Sequence, residues 1–169
     1  SSADTHGDSD VGLAAQVRGA LPRSRIRARY SGPLFAIMQP ESESKMTSVL
    51  QRNNVQVKGE GPQTVILAHG FGTDQTAWQR QQEALSERYR LVLFDHVGAG
   101  GADPAAYSPH RYRSLYSYAA DLLELLRELQ ISQAIYIGHS MSAMIGLLAA
   151  LQEPEHFAKM VFIGASPRY

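Results

Sequence analysis

The 169-residue sequence contains no cysteine. This absence excludes disulfide bonds and thiolate metal sites, and it is typical of a reducing compartment. An excess charge of one sign is also lacking, because 16 Lys and Arg residues balance 16 Asp and Glu residues, so nothing indicates nucleic-acid or anionic-membrane binding. No apolar run approaches the roughly 20 residues of a membrane-spanning helix. We therefore expect a soluble, cytoplasmic protein that binds neither nucleic acid nor membrane.

Residues 1–45 differ in composition from everything after them. They lack the basic region and apolar core of a signal peptide, and they combine several prolines with alternating arginines. The arginines are compatible with an electrostatic docking arm, but the low apolar content favours a disordered leader or extension. Because Met46 begins a stretch that resembles a natural protein start, we interpret residues 46–169 as the globular part.

The globular part alternates short apolar runs with helical patterns. Two continuous apolar runs, at 64–68 and 91–94, are typical of parallel strands buried on both faces, and the run 160–163 predicts one more parallel strand. Alternation around Val55 and Val57 indicates an additional early strand. Strands that alternate with helices predict an α/β fold with a mostly parallel sheet and right-handed crossovers.

Two helical patterns differ in character. Leucines three and four residues apart predict an amphipathic helix over 114–130, with four charged residues expected to face water: Asp121, Glu124, Arg127 and Glu128. The helix that follows residue 140 is apolar nearly all round, so it is predicted to be buried against the sheet and to stop at Pro154.

The most informative stretch is a strand-like tetrapeptide followed by Gly138-His139-Ser140-Met141-Ser142 and then by the apolar helix. A serine at the tip of a tight strand-to-helix turn needs small second neighbours, because the two chain arms pass very close there. Such a turn projects the serine Oγ clear of the sheet and leaves the next amide, that of Met141, facing a developing oxyanion. A G-x-S-x-S match also arises by chance, but the flanking strand and helix favour Ser140 as a nucleophile.

This pattern resembles the nucleophile elbow of α/β-hydrolases, with Ser142 where the family usually has a second glycine. The resemblance extends to the glycine-rich loop after the first buried strand, His69-Gly70-Phe71-Gly72. In that family the corresponding loop supplies the second oxyanion donor, which here implies the amide of Phe71. His69 is either a catalytic residue or a structural histidine packed under the loop. We favour the structural role, because the family's catalytic base does not lie at this position.

A further glycine-rich segment, 95–103, reads D-H-V-G-A-G-G-A-D. Its G-A-G core suggests a dinucleotide-binding loop, but Asp103 occupies the position of the required third glycine, and no acidic residue ends a following strand at the proper distance. That interpretation fails. The segment instead resembles a turn of the α/β-hydrolases, in which Asp95 and Asp103 would fix the loop as hydrogen-bond acceptors.

Several longer motifs in the same order make the resemblance closer: V-I-L-A-H-G-F-G-T-D-Q, F-D-x-V-G-A-G, R-Y-x-S-L-x-x-Y-A-x-D-L-L, I-G-H-S-M-S-A-M-I-G and G-A-S-P-R-Y. Together they are similar to the RsbQ-type hydrolases, a group that includes bacterial stress-signalling hydrolases and the plant karrikin and strigolactone receptors. The similarity runs from about residue 47 to residue 169 and covers none of residues 1–45. It implies the α/β-hydrolase fold, truncated before the lid and the last strands.

The family implies an esterase-like mechanism on a small, apolar ester or lactone, with no cofactor and no metal. Ser140 would attack the carbonyl carbon, and the amides of Phe71 and Met141 would stabilise the oxyanion. A His would accept the serine proton and an Asp would orient that His, both following the nucleophile in the chain.

The sequence departs from the family at these two residues. No Asp follows Ser140, and the only His after it is His156, beyond a helix that would be roughly 18 Å long. His96 and His110 precede the nucleophile in loops and are distant alternatives for the base. The chain is therefore interpreted as the N-terminal half of a hydrolase, expected to be inactive alone.

Three hypotheses follow for the function. The first is a serine hydrolase represented by a truncated sequence. The second is a non-catalytic ligand-binding or regulatory module, since the family also contains receptors that act on a signalling protein partner. The third is an inactive gene remnant.

Overall fold

A computed structural model of the protein describes residues 48–166, in which helices and strands alternate along the chain. In chain order the elements are α1 (Val49–Arg52), β1 (Gln56–Lys58), β2 (Thr64–Ala68), α2 (Gln79–Ser86), β3 (Arg90–Phe94), α3 (Leu115–Glu128), β4 (Ala134–His139), α4 (Met141–Gln152) and β5 (Phe157–Ile163). Short 3₁₀ helices lie at Gln75–Trp78, Pro104–Ala106 and Pro154–His156. Among residues 48–166, no helix has the length and apolar character needed to cross a membrane. The interpretation of residues 1–45 as a leader lies outside the described residues.

The strands form a five-stranded sheet in the order β1-β3-β2-β4-β5. β1 pairs with β3 in the antiparallel sense, whereas β3, β2, β4 and β5 are parallel to their neighbours. Parallel strands need crossover connections, and α2, α3 and α4 lie in these connections. The architecture confirms the predicted α/β class with a mostly parallel sheet.

Apolar side chains cover both faces of the sheet and create two cores. The larger core packs α1, α3 and α4 against one face and includes Ile66 and Tyr136. The smaller core lies on the other face, where Val65 and Leu67 pack with Trp78. Successive residues of a strand point to opposite faces, so the uninterrupted apolar sequence of β2 serves both cores.

The expectation that Asp121 of α3 faces water is wrong. Its side chain is only 4% exposed, and Arg52 Nη2 and Arg111 Nη2 lie 3.1 Å and 2.7 Å from its Oδ1. The hydroxyl of Tyr112 donates to Oδ2 at 2.8 Å. Burial raises the pKa of Asp121, although these three partners act in the opposite direction. Helical periodicity cannot reveal such a site, because the partners come from α1 and from the loop before α3.

The sheet ends at β5, whose outer edge is open among the described residues. β5 begins at Phe157, earlier than the predicted run 160–163, and Val161, Phe162 and Ile163 are 44%, 43% and 43% exposed. The apolar sequence of α4 predicted a helix buried nearly all round, but Leu151 is 74% exposed. The described residues therefore leave several large apolar side chains exposed on β5 and one on α4.

Candidate active site

The residues that the sequence singled out gather at the carboxyl ends of the parallel strands. The register of β2 and β4 pairs Ala68 with Gly138, so the loop after β2 lies beside the turn after β4. Ala68 is also paired with Phe94 at the end of β3, which brings the loop after β3 alongside. Ligands of open α/β sheets bind at this edge.

Ser140 occupies the tight turn between β4 and α4. Its backbone angles, φ 55° and ψ −121°, lie in a region that non-glycine residues adopt only when their surroundings hold them there. A Cβ atom on Gly138 would lie 2.6 Å from the carbonyl oxygen of Ser142, so the two arms of the turn pass very close. Met141 is the first residue of α4, and its amide therefore belongs to the helix N-terminus. The amide of Ser140 donates to the carbonyl of Ile163 at 2.8 Å, which ties the turn to β5.

The loop after β2 lies against this turn. A Cβ atom on Gly70 would lie 3.1 Å from Cβ of Ser140 and 2.6 Å from Nδ1 of His139, so glycine is needed for the close approach. The carbonyl of Gly70 accepts hydrogen bonds from His69 Nδ1 and Thr73 Oγ1, each at 2.9 Å. The amide of Phe71 belongs to the same planar peptide and points away from that carbonyl. These two hydrogen bonds therefore set the direction of the Phe71 N–H.

The loop turns away from the sheet after this peptide. Gly72 has φ 72°, a conformation that glycine adopts without steric cost. The side chain of Phe71 is 85% exposed, so the close approach of this loop to Ser140 is made by Gly70 and not by that side chain.

His69 is buried beneath the loop in one tautomer. Its Nε2 accepts a hydrogen bond from the amide of His96 at 3.1 Å, so the ring proton resides on Nδ1, which donates to Gly70. Burial lowers the pKa of His69, which keeps the ring neutral although Oδ1 of Asp95 lies 4.0 Å from Nε2. Both ring nitrogens are engaged within the protein, an arrangement that matches the structural interpretation of His69.

Ser142, which stands where the motif usually has glycine, is fully buried and hydrogen-bonded. Its hydroxyl donates to the carbonyl of His69 at 2.5 Å, and Nε2 of His96 lies 2.7 Å from the same hydroxyl oxygen. Since the hydroxyl proton is directed to His69, Nε2 of His96 must carry the proton of the second bond. Burial lowers the pKa of His96 to about 3, so this ring is neutral at physiological pH. The sequence did not reveal this contact, because 46 positions separate the two residues.

Asp95 organises the loop after β3 as a hydrogen-bond acceptor. Its carboxylate accepts from Asn54 Nδ2 at 2.7 Å, from the amide and Nε2 of Gln75 at 2.8 Å and 3.0 Å, and from the amide of Gly101 at 2.9 Å. Burial alone would raise the pKa of Asp95, but the hydrogen bonds outweigh burial and lower the pKa. Asp103 accepts from a backbone amide at the start of the next 3₁₀ helix. Both aspartates therefore occupy loop-fixing positions.

A cavity of about 790 Å³ opens in front of these loops. The loops after β2 and β3 form most of its wall, and Tyr107, Tyr118 and Met141 complete it. Tyr107 packs over Gly98, where a Cβ atom would lie 3.1 Å from the tyrosine ring. Asp74 is the one carboxylate among the described lining residues, and they include no arginine or lysine.

The remaining histidines lie elsewhere. His110 is exposed and does not line this cavity. His156 precedes β5, which runs parallel to β4, so it lies at the opposite edge of the sheet from Ser140, roughly 20 Å away along a six-residue strand. Its Nδ1 donates to the carbonyl of Ile131 at 2.5 Å, and its Nε2 lies 3.1 Å from the carboxylate of Glu153. The structure therefore does not bring His110 or His156 to Ser140.

One group of potential metal ligands occurs among the described residues. Glu153, Glu155 and His156 place ligand atoms within 4.8 Å of one another, at the edge of the sheet opposite Ser140. Both ring nitrogens of His156 already have partners within the protein, and Glu153 is also paired with Arg127. This group is therefore explained as an ion-pair cluster.

The chain has relatives among known hydrolases and receptors. Residues 63–169 match the family model described as the alpha/beta hydrolase fold. The karrikin insensitive 2 receptor B of Petunia hybrida is 47% identical over 124 residues, which cover 73% of this chain and 45% of the receptor. The strigolactone esterase D14 of Arabidopsis thaliana is 44% identical over 122 residues, which cover 72% of this chain and 46% of the esterase.

A solved structure shows the same fold. A hydrolase from Oleispira antarctica superposes with a TM-score of 0.69 and 38% sequence identity, over 70% of this chain and 44% of its own. This chain therefore spans about half the length of the relatives that it matches.

Proposed function

Since this chain belongs to the α/β-hydrolase fold family, we propose that Ser140 is the nucleophile of a serine hydrolase that cleaves small, apolar esters or lactones. The observation that carries the proposal is the backbone of Ser140, held at φ 55° between β4 and α4. Strain of this kind costs of order 1–3 kcal/mol and clusters at active sites. The neighbouring residue, Met141, lines the cavity, so a ligand in the cavity would lie next to the serine.

The amides of Phe71 and Met141 are proposed as the oxyanion hole. Attack of the serine Oγ on a carbonyl carbon moves negative charge onto the carbonyl oxygen, which N–H donors stabilise. The Met141 amide is suited to this role because it lies at the N-terminus of the 12-residue helix α4, where the helix dipole adds to its effect. The Phe71 amide is suited because the two hydrogen bonds to the Gly70 carbonyl pre-orient it.

Proton removal from Ser140 has no evident agent among these residues. His69 and His96 are neutral, and their hydrogen bonds go to Gly70 and Ser142, while His156 lies at the far edge of the sheet. The complete reaction needs a His that takes the serine proton and returns it to the leaving oxygen. We therefore propose that residues 1–169 by themselves bind the substrate and stabilise the oxyanion but turn over esters very slowly.

The proposed substrate class follows from the cavity wall. Tyrosine rings, glycine and alanine backbone and the Met141 side chain offer contact to apolar groups. No arginine or lysine lines the cavity among the described residues, which disfavours carboxylate or phosphate substrates. An uncharged ester or lactone fits this lining.

A ligand receptor is the second candidate function. Two observations favour it: a relative at 47% identity is named a receptor, and the described residues form a cavity although none of them supplies a base in contact with Ser140. A receptor would bind the same apolar ligand and pass the signal to a protein partner. For either function we propose the cytoplasm as the location, in keeping with the absence of cysteine.

The test is covalent modification of Ser140. The whole chain is incubated with a fluorophosphonate ester, and the modified residue is identified by intact mass and peptide mapping. We expect one adduct, at Ser140, which forms slowly because no base contacts this serine among the described residues. It should form in the wild type and in the matched control Ser132→Ala, which changes an exposed serine before β4, and not in Ser140→Ala. An adduct that persists in Ser140→Ala would refute the nucleophile.

Parallel assays separate the two functions. Hydrolysis of p-nitrophenyl butyrate above the buffer rate, lost in Ser140→Ala, would support an enzyme and contradict the slow turnover proposed for these residues alone. Saturable binding of an uncharged lactone without hydrolysis, retained in Ser140→Ala, would favour the receptor.

A further inference from the structure

Three buried polar groups that the proposed reaction does not use lie beneath the strained turn. They are the imidazole of His96, the hydroxyl of Ser142 and the carbonyl of His69, with relative exposures of 2%, 0% and 1% for their residues. His96 Nε2 donates to Ser142 Oγ at 2.7 Å, and Ser142 Oγ donates to the His69 carbonyl at 2.5 Å. We name these two consecutive hydrogen bonds the Ser142–His96 brace.

The brace joins three segments that meet at the site. Ser142 belongs to the first turn of α4, His96 to the loop after β3, and His69 to the loop after β2. The amide of His96 also donates to Nε2 of His69 at 3.1 Å, so His96 holds the His69 residue twice, once directly and once through Ser142. Each segment is therefore restrained by the other two.

The brace acts on the residues beside both proposed oxyanion donors. Ser142 directly follows Met141, and His69 lies two residues before Phe71. A hydrogen bond between Ser142 and His69 thus sets the separation of the two chain segments that carry the donor amides. We propose that Ser142 and His96 are positioning residues that set the spacing of the oxyanion hole, an inference that rests on the proposed function of Ser140.

The chemistry of the two side chains is complementary. A glycine at position 142 would fit the turn, but it would leave the His69 carbonyl and the N–H of His96 buried without these partners. Each such loss costs more than the hydrogen bond contributes when it is made. Ring packing holds His96 in place, with centroids 4.7 Å from His69 and 5.5 Å from Tyr118. The serine at 142 is therefore explained by the histidine at 96.

The test uses the whole chain and a set of matched variants. Ser142→Ala removes the central hydroxyl, His96→Leu removes the donor, and His96→Gln restores an N–H near the position of Nε2. Ser132→Ala and His110→Leu change exposed residues of the same types and serve as controls.

The first measurement is the saturation kinetics of fluorophosphonate modification of Ser140. We expect Ser142→Ala and His96→Leu to lower the maximal rate of modification by about tenfold or more, because the oxyanion donors are misplaced. The half-saturating concentration should change by less than about twofold in Ser142→Ala, since Ser142 does not line the cavity. His96→Gln should recover the rate to within about threefold of the wild type. Wild-type rates in both Ser142→Ala and His96→Leu would overturn the proposal.

The second measurement is hydrogen exchange of the His96 amide, which does not depend on the reactivity of Ser140. We expect exchange about tenfold faster in Ser142→Ala while the amides of α3 exchange as in the wild type. If the wild type is not modified at all, the proposed nucleophile fails. Hydrogen exchange alone then tests the positioning role of the brace. An unchanged exchange rate of the His96 amide overturns it, and a faster rate supports it. If Ser142→Ala does not fold, the rates of Ser140 modification in His96→Leu and His96→Gln test the proposal instead.

Discussion

Gly146→Ala is expected to destabilise the protein, although alanine is the better helix former. Gly146 of α4 faces Tyr136 of β4, and a Cβ atom on it would lie 2.1 Å from Cε1 of the tyrosine ring. The ring has no room to retreat, because Tyr136 is completely buried. Its hydroxyl donates to the Ser142 carbonyl at 2.7 Å, and its ring meets Phe157 edge-on at 5.9 Å between centroids.

Two opposing effects decide how much Gly146→Ala changes the free energy of unfolding. Replacement of glycine by alanine inside a helix stabilises by roughly 1 kcal/mol, whereas overpacking of a core costs about 1–3 kcal/mol, occasionally more. Carbon atoms pack at about 3.5–4.0 Å, so a contact of 2.1 Å requires a shift of well over an ångström in a fully buried ring. We expect the steric cost to prevail and the free energy of unfolding to fall by about 2 kcal/mol. Urea denaturation followed by circular dichroism measures the difference.

A control and a second-site change make the test specific. Leu151→Ala alters the same helix at a position that is 74% exposed and should change stability by less than about 0.5 kcal/mol. Adding Tyr136→Leu creates space, so the double variant Gly146→Ala/Tyr136→Leu should lose less stability than the two single losses combined. A Gly146→Ala protein as stable as the wild type, or more stable, would refute the packing argument.

Three further predictions concern charge, pH and the sheet edge. Asp121→Asn should lower the free energy of unfolding by about 3 kcal/mol in urea titrations, because it removes the buried negative charge that faces Arg52 and Arg111. In contrast, Glu124→Gln, at a side chain 48% exposed, should cost less than about 1 kcal/mol. Burial lowers the pKa of His96 to about 3. As pH falls from about 6 to 4, the His96 ring therefore becomes protonated in the unfolded chain but stays neutral in the folded protein. The free energy of unfolding should then drop by about 1.4 kcal/mol per pH unit, and less steeply in His96→Leu. Equal slopes in the two proteins would contradict the lowered pKa of His96. The exposed apolar edge of β5 is expected to make the chain self-associate in size-exclusion chromatography, and Val161→Lys on that edge should reduce this association. Val57→Lys on the β1 edge, at a residue 46% exposed, should leave it unchanged.

The sequence predicted those features whose signal is local. The apolar run 64–68 coincides with β2, because a strand buried on both faces has no polar position to interrupt it. The turn at Ser140 was recognisable because small second neighbours, a strand before and a helix after all lie within one stretch of chain. The α/β class followed from the alternation of these elements.

The features that the sequence missed depend on contacts between distant segments. Asp121 occupies a position that α3 periodicity assigns to water, but Arg52 and Arg111 come from other elements to pair with it. The hydroxyl of Ser142 meets His96 only after the sheet has aligned the ends of β3 and β4. A polar residue in an unexpected position shows where a partner is needed, but it does not identify that partner.

The hydrogen bond from the Ser140 amide to the Ile163 carbonyl makes β5 one of the elements that hold the strained backbone of Ser140. Pairing of His139 with Ile163 continues directly into this bond, so the last rung of the ladder also restrains the turn at Ser140. If β5 peels away at its carboxyl end, the amide loses its partner and the backbone of Ser140 can relax into an ordinary conformation. A further strand paired with β5 would instead hold β5 in place and keep the Ser140 backbone in its strained conformation. The conformation of Ser140 is thereby coupled to the carboxyl end of β5 through one hydrogen bond.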